Sequence, residues 1–172
     1  DNSVVTEADI SANKAIIRSL SSHYPTIPIV SEENSLSNNL NACKGGTYFM
    51  IDPLDGTSSF IKQSDEFTVN IAFIHNYTVL NGMIYCPVYK TLYYTNHTGE
   101  SIKKDCQTNQ TKILNASTNS HQLRVIATKR EPEKSEIIDE LSHHQLTIAD
   151  MVSISSSYKF CIIAEGSADL YP

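Results

Sequence analysis

A short apolar run, Tyr48 to Ile51, ends abruptly in Asp52-Pro53-Leu54-Asp55-Gly56-Thr57, and this junction limits what the chain can fold into more than any other segment. The run reads as a strand. Pro53 cannot donate to a sheet ladder and Gly56 tolerates backbone angles closed to other residues, so a turn with special geometry is expected after Ile51. Two carboxylates two residues apart therefore sit where a buried strand ends. Mg²⁺ takes oxygen ligands at near-octahedral geometry and keeps several waters, so a few carboxylates and a phosphate satisfy it. Asp52 and Asp55 suit that demand. A turn containing Gly56 can aim backbone N–H groups at an anion, and a helix starting after Thr57 would add its positive end. A solvated Asp-Pro-x-Asp-Gly turn accounts for the spacing equally well.

Two further acidic clusters shift the balance. Between Ala8 and Tyr24 the residues Ile10, Ala12, Ile16, Ile17 and Leu20 recur at helical spacing before Pro25, which predicts an amphipathic helix with Thr6, Glu7 and Asp9 at its start. Ile27 to Val30 predicts a buried strand running into Ser31-Glu32-Glu33, followed by a polar, Asn-rich loop to Gly46. Taken singly, Glu32 is a surface acid and Thr6 or Asp9 a helix cap. Three acidic clusters at element ends, each beside an apolar segment, point to one site.

Beyond Phe67 the pattern turns to Val, Ile, Phe, Tyr and Thr in short runs broken by His75-Asn76, Gly82, Pro87 and Asn96 to Gly99, an antiparallel meander reaching about Lys104. Residues 105–121 are polar and read as a crossing between layers. After them come a strand at Leu123 to Ala127, a helix from Pro132 to about Leu141, an extended stretch from Gln145 to Ile154 and a helix opening at Tyr158. Alternating strands and helices make this an α/β chain. The expected division is an N-terminal α+β lobe, 1–115, and a partial C-terminal α/β lobe, 116–172.

Composition narrows the function. With 13 Lys and Arg against 19 Asp and Glu, a broad basic surface for a nucleic acid polymer is not expected. No run approaches the roughly 20 apolar residues of a membrane span, so no integral membrane segment is expected. Cys43, Cys86, Cys106 and Cys161 are widely spaced without a zinc or redox pattern and read as free thiols. The opening at Asp1 lacks a Met, a basic start and an apolar signal, which suggests a trimmed or partial cytoplasmic chain. The sequons at Asn76, Asn96, Asn109 and Asn115 are read as chance matches.

Val5-Thr6-Glu7-Ala8-Asp9, Pro28-Ile29-Val30-Ser31-Glu32-Glu33 and Ile51-Asp52-Pro53-Leu54-Asp55-Gly56-Thr57 together resemble three signatures of the inositol monophosphatase superfamily, in order and spacing. Phe60-Ile61-Lys62, Glu66 to Ala72, Ser155 to Cys161, Ala164-Glu165-Gly166 and Asp169 to Pro172 resemble its CysQ branch, the 3'(2'),5'-bisphosphate nucleotidases of sulfur metabolism. The resemblance is collinear over nearly the whole chain and implies an inositol monophosphatase-like sugar-phosphatase fold of alternating helix and sheet layers, the second layer incomplete.

By that resemblance, Glu32, Asp52 and the Leu54 carbonyl would bind a first Mg²⁺, and Asp52 with Asp55 a second; the site would use two or three ions, with Li⁺ as an inhibitor. Thr57 and Asp9 would take the proton of the attacking water, and the Gly56 and Thr57 amides would hold phosphate. Ser156 and Lys159 would contact a nucleotide. The implied substrate is a small phosphate ester, 3'-phosphoadenosine 5'-phosphate, which would yield AMP; an inositol monophosphate or a sugar bisphosphate are the alternatives. The family's last metal ligand, an Asp in a Trp-Asp motif, would lie past Pro172, and the chain contains no Trp. A fragment, a degenerate copy and a chain cut short all fit that departure, so a non-catalytic Mg²⁺- or nucleotide-binding module stays open. Oligomeric state is not legible.

Overall fold

In the computed structural model, residues 5–117, 122–127 and 134–172 are described. The first helix, α1 (Glu7–His23), starts at Thr6, whose side chain caps the Ala8 and Asp9 amides, while Asp9 reaches back to the Thr6 amide. This capping box satisfies donors that the first turn would otherwise leave unpaired. The face that α1 buries is unusual. Asp9 and Asn13, one turn apart, are buried, whereas Ile10 is exposed.

Strand β1 (Ile29–Ser31) pairs in parallel with β2 (Tyr48–Asp55), and the sheet then runs antiparallel through β3 (Thr68–His75), β4 (Thr78–Cys86), β5 (Thr91–Thr95), β6 (Ser101–Asp105) and β7 (Thr111–Ile113). The expected meander is present. Two expectations give way. Residues 36–43, read as loop, form helix α2 (Leu36–Cys43), with Ser35 accepting from the Asn38 amide at 3.4 Å. Its Asn39 bonds both backbone groups of Ser31, at 3.1 and 2.7 Å, so side-chain hydrogen bonds rather than an apolar stripe dock it. Residues 111–113, read as part of a crossing, extend the large sheet instead; residues 118–121 of that stretch lie outside the described residues.

A second sheet pairs β8 (Gln122–Ala127) in parallel with β9 (Thr147–Ser153), connected by α4 (Lys134–His143). Leu123, Val125, Ala127, Ile137 and Leu141 form its core. Pro132, expected to open the helix, lies outside the described residues. Helix α5 (Tyr158–Ala164) follows β9 yet packs on the large sheet, where Cys161 joins Cys86, Tyr93 and Leu114 in one buried cluster. All four cysteines are free thiols. No helix among the described residues is long and apolar enough to cross a membrane.

Candidate metal centre

The Asp-Pro-Leu-Asp segment is a bulge inside β2, not a turn after it. Asp52 pairs with Asn70 and Asp55 with Thr68, so Pro53 and Leu54 together face the single position Val69. In a regular strand, residues three apart point to opposite faces. The extra residue cancels that alternation and puts both aspartates on one face. Pro53 is fully buried there, at a position where its missing donor does no harm.

Parallel pairing then brings in the second cluster. Ser31 lies opposite Ile51, and the Glu32 amide donates to the Ile51 carbonyl at 3.3 Å, which sets Glu32 beside Asp52. The electrostatics report the crowding. Burial above all, then the negative charges of Asp55 and Glu32 and a hydrogen bond with Glu32, push the Asp52 carboxyl up to about 7. Glu33 is also raised, by burial, Asp9 and Glu32, so acids from all three clusters feel one another. Asp52 Oδ1 accepts the Leu54 amide at 3.2 Å.

The α1 cluster meets the bulge through Thr57. This residue opens α3 (Thr57–Ile61) directly after Gly56, whose φ of 95° lies in the left-handed region. A Cβ on Gly56 would stand 2.8 Å from the Glu66 carbonyl oxygen and 3.1 Å from Ser156 Cβ, so glycine is required twice over. The Thr57 hydroxyl lies 3.0 Å from Asp9 Oδ1 and 3.2 Å from the Leu54 carbonyl oxygen, close enough to donate to either. Asp9 Oδ2 accepts from the Thr6 amide at 2.8 Å and from the Thr6 hydroxyl. Asp9 is therefore buried but fully bonded.

Three sites named from sequence thus converge: Glu32 with Asp52 and Asp55, the Leu54 carbonyl with Thr57, and Thr57 with Asp9. The other two candidates divide. Ser156 sits against Gly56 at a φ of 60°, buried, its hydroxyl accepting from the Tyr158 amide at 3.2 Å. Lys159 is not brought to the carboxylates; its ammonium lies over the Tyr171 ring, 4.5 Å from the centroid, and 5.5 Å from that of Phe160. Instead Ser157, which sequence reasoning passed over, reaches Asp55 through both its amide and its hydroxyl, the latter at 2.6 Å. Asn70, also missed, donates to Ser157 Oγ at 3.0 Å. The available signal was a lone amide in the apolar run Val69-Asn70-Ile71-Ala72.

Does this donor set fit a divalent cation? Among the described residues, no three acidic, His or Cys side chains close into a cage of their own. Mg²⁺ does not need one, since it retains waters and takes phosphate oxygens. Two hard carboxylates held together against their own repulsion, beside a carbonyl oxygen, have the chemistry that a small dication stabilises. Glu32, Asp52, Asn70 and Ser157 belong to the lining of a cavity of about 700 Å³ whose other walls, among them Ile71, Met83 and Ile102, are mostly apolar.

The description "Inositol monophosphatase family" covers the pattern matched by residues 1–172. The chain belongs to this family. It is 39% identical over 173 residues to the 3'(2'),5'-bisphosphate nucleotidase CysQ of Salmonella typhimurium, covering 100% of this chain and 67% of that protein. The solved structure of CysQ from Bacteroides thetaiotaomicron, a bacterial member of the inositol monophosphatase family, has 30% identity and a TM-score of 0.78, covering 100% of this chain and 68% of that one. An IMPase of Thermotoga maritima superposes with a TM-score of 0.81 at 19% identity, covering 99% and 62%, and supports the fold alone. The chain spans about two thirds of the length of these relatives.

Proposed function

We propose that this family member is a Mg²⁺-dependent phosphomonoester hydrolase of the 3'(2'),5'-bisphosphate nucleotidase type, with 3'-phosphoadenosine 5'-phosphate as substrate and AMP and phosphate as products. The observation that carries the reading is the β2 bulge, which sets Asp52 and Asp55 on one face beside Glu32 while Thr57 meets Asp9. The similarity to CysQ supports the choice of nucleotide over inositol or sugar phosphates. The chain divides in this reading into a lobe carrying the metal motifs, 1–115, and a second lobe, 116–172, whose helix α5 returns to the site.

Glu32, Asp52, Asp55 and the Leu54 carbonyl hold Mg²⁺, and the Gly56 and Thr57 amides hold the phosphate. When bound, Mg²⁺ supplies Lewis-acid stabilisation of the charge that develops on the phosphoryl and leaving oxygens. The protein's own groups handle the proton. A water oxygen bonds to phosphorus as the ester P–O bond breaks. The proton it loses goes to Thr57 Oγ, whose own proton passes to Asp9 Oδ1 along the 3.0 Å contact. The departing 3'-oxygen takes a proton from solvent to leave as the hydroxyl of AMP, and Asp9 later returns one to solvent. Two bonds from Thr6 to the other oxygen keep Asp9 oriented throughout.

Phosphate release from 3'-phosphoadenosine 5'-phosphate, inositol 1-phosphate and a sugar bisphosphate, by this chain and by a version extended to the relatives' length, tests the reading. The nucleotide is expected to turn over fastest, only with Mg²⁺, with inhibition by Li⁺, and Asp9→Asn is expected to stop it. Turnover that persists in Asp9→Asn or in chelator, or a preference for either other substrate, would contradict it.

A further inference from the structure

Asp55 makes all its side-chain hydrogen bonds through one oxygen. Among the described residues, Oδ2 accepts from the Ser157 amide, from Ser157 Oγ at 2.6 Å and from Thr68 Oγ1 at 3.4 Å. A serine hydroxyl has a single hydrogen and can give it to one acceptor at a time. Which acceptor receives it is decided by Asn70, whose Nδ2 donates to Ser157 Oγ at 3.0 Å and so leaves that hydrogen for Asp55.

Asn70 keeps this arrangement at a cost. Its Oδ1 is buried without a partner, a condition that native proteins seldom tolerate. Turning the amide over would pair that oxygen with the Ser157 hydroxyl and draw the hydrogen away from Asp55. Asn70 stands directly opposite Asp52 on β3 and lines the same cavity, so the relay is built into the bulge. It crosses 87 residues of sequence to join the large sheet to the start of α5.

We propose that Asn70 and Ser157 are positioning residues, a two-step donor relay that anchors Oδ2 of Asp55 and leaves Oδ1, unbonded among the described residues, to serve as the ligating oxygen. This rests on the metal reading of the proposed function, and it assigns both residues a role that the sequence motifs did not give them. Partners that orient a ligating group in this way commonly govern metal affinity without touching the ion.

Mn²⁺ binding to this chain, followed by isothermal titration calorimetry with thermal unfolding alongside, tests the relay. Removing an orienting partner typically weakens a site 10- to 100-fold, so Ser157→Ala is expected to lower Mn²⁺ affinity about 10-fold and Ser157→Thr, which restores the hydroxyl, less than about 2-fold. Asn70→Ala is expected to cost about 3-fold alone and nothing further in the Ser157→Ala background, since residues in one network are not additive. A merely structural role would lower the unfolding midpoint and leave Mn²⁺ affinity unchanged. Wild-type affinity in Ser157→Ala, or a full Asn70→Ala penalty in the double variant, would overturn the relay while sparing the metal reading. Should Ser157→Ala fail to fold, unchanged affinity in Asn70→Ala overturns the relay as well. A wild-type chain that takes up no Mn²⁺ would overturn both.

Discussion

Asp52 follows a residue in parallel pairing with β1 and Asp169 precedes one that bridges β8 in parallel, and their surroundings do opposite things to them. Asp52 is pressed against Asp55 and Glu32, and its carboxyl is pushed up to about 7. Asp169 meets Arg124, which donates from Nε to Oδ2 at 3.0 Å and from Nη2 to Oδ1 at 2.8 Å. That fork, with help from Ser117 and the Arg124 amide, holds it well below the usual carboxylate range. One region neutralises its charge from within; the other leaves its carboxylates pressed against one another. Glu165 belongs to the first kind, since Lys103 pairs with it at 2.8 Å and the Tyr93 hydroxyl donates to it. Asp169 and Glu165 are each paired with an internal cation, whereas among the described residues Asp52 is crowded by carboxylates alone.

The largest expected effect falls on the crowded side. Asp52→Asn keeps the shape of the bulge but removes a carboxylate, and we expect Mg²⁺-dependent phosphate release to drop by about 10²- to 10³-fold, as for loss of a central catalytic electrostatic contact. The fold should tolerate it. Arg124→Met breaks the paired side and leaves the Asp169 side chain, 3% exposed, with Ser117 and a backbone amide but no cation; the unfolding midpoint should fall by several degrees while Mn²⁺ affinity stays within about 2-fold, because separate sites act independently. If Arg124→Met abolished Mn²⁺ binding instead, the two regions would not be distinct.

Gly56→Ala probes the bulge itself. The left-handed φ and the 2.8 Å approach to the Glu66 carbonyl oxygen make a loss of about 1–3 kcal/mol the expected result in denaturant unfolding. The smallest effect is expected at Lys159. Tyr171→Leu removes the nearer of its two rings, a contact worth about 0.5–1 kcal/mol at an exposed site, and Tyr171→Phe should preserve it; affinity for the bisphosphate nucleotide should change only a few-fold, as read by competition binding.

The two aspartates also give opposite pH signs in cation-free protein. A raised carboxyl stabilises the fold below its ordinary 3.8 and loses that contribution as pH climbs to about 7. A lowered one contributes above the ordinary range and loses it on acidification. In chelator, Asp52→Asn should therefore gain on the wild type as pH rises from 4 to about 7, whereas Arg124→Met should lose most at neutral pH and recover in acid. Thermal melts across that range would show whether the curves diverge as stated.

Much of this was legible in the chain. Apolar runs of fixed period announced α1, β2, the meander and α5, and the three acidic clusters, each next to such a run, do meet in space. What stayed hidden depends on side chains meeting across distance. Helix α2 has no buried residue and is held by Asn39, so no periodicity betrays it. The bulge looked like a turn, since Pro53 and Gly56 suit either, and only pairing with β3 separates them. Ile10 belongs to the apolar periodicity that predicts α1, yet it is exposed; the buried residues of α1 are polar because Asn13 accepts from Ser31 Oγ at 2.8 Å and Asp9 meets Thr57. The family resemblance drew attention to Ser156 and Lys159, yet it is Ser157 that touches Asp55.

If crowded carboxylates await a dication, binding it should expel part of the proton held among Asp52 and its acidic neighbours, since the Asp52 carboxyl is pushed up to about 7. Titrating Mg²⁺ into the cation-free chain at pH 7, in buffers of different ionisation enthalpy, measures that proton directly. Release of part of a proton per ion, absent in Asp52→Asn, is the predicted result. Mg²⁺ uptake with no proton released, or with equal release in Asp52→Asn, would contradict it.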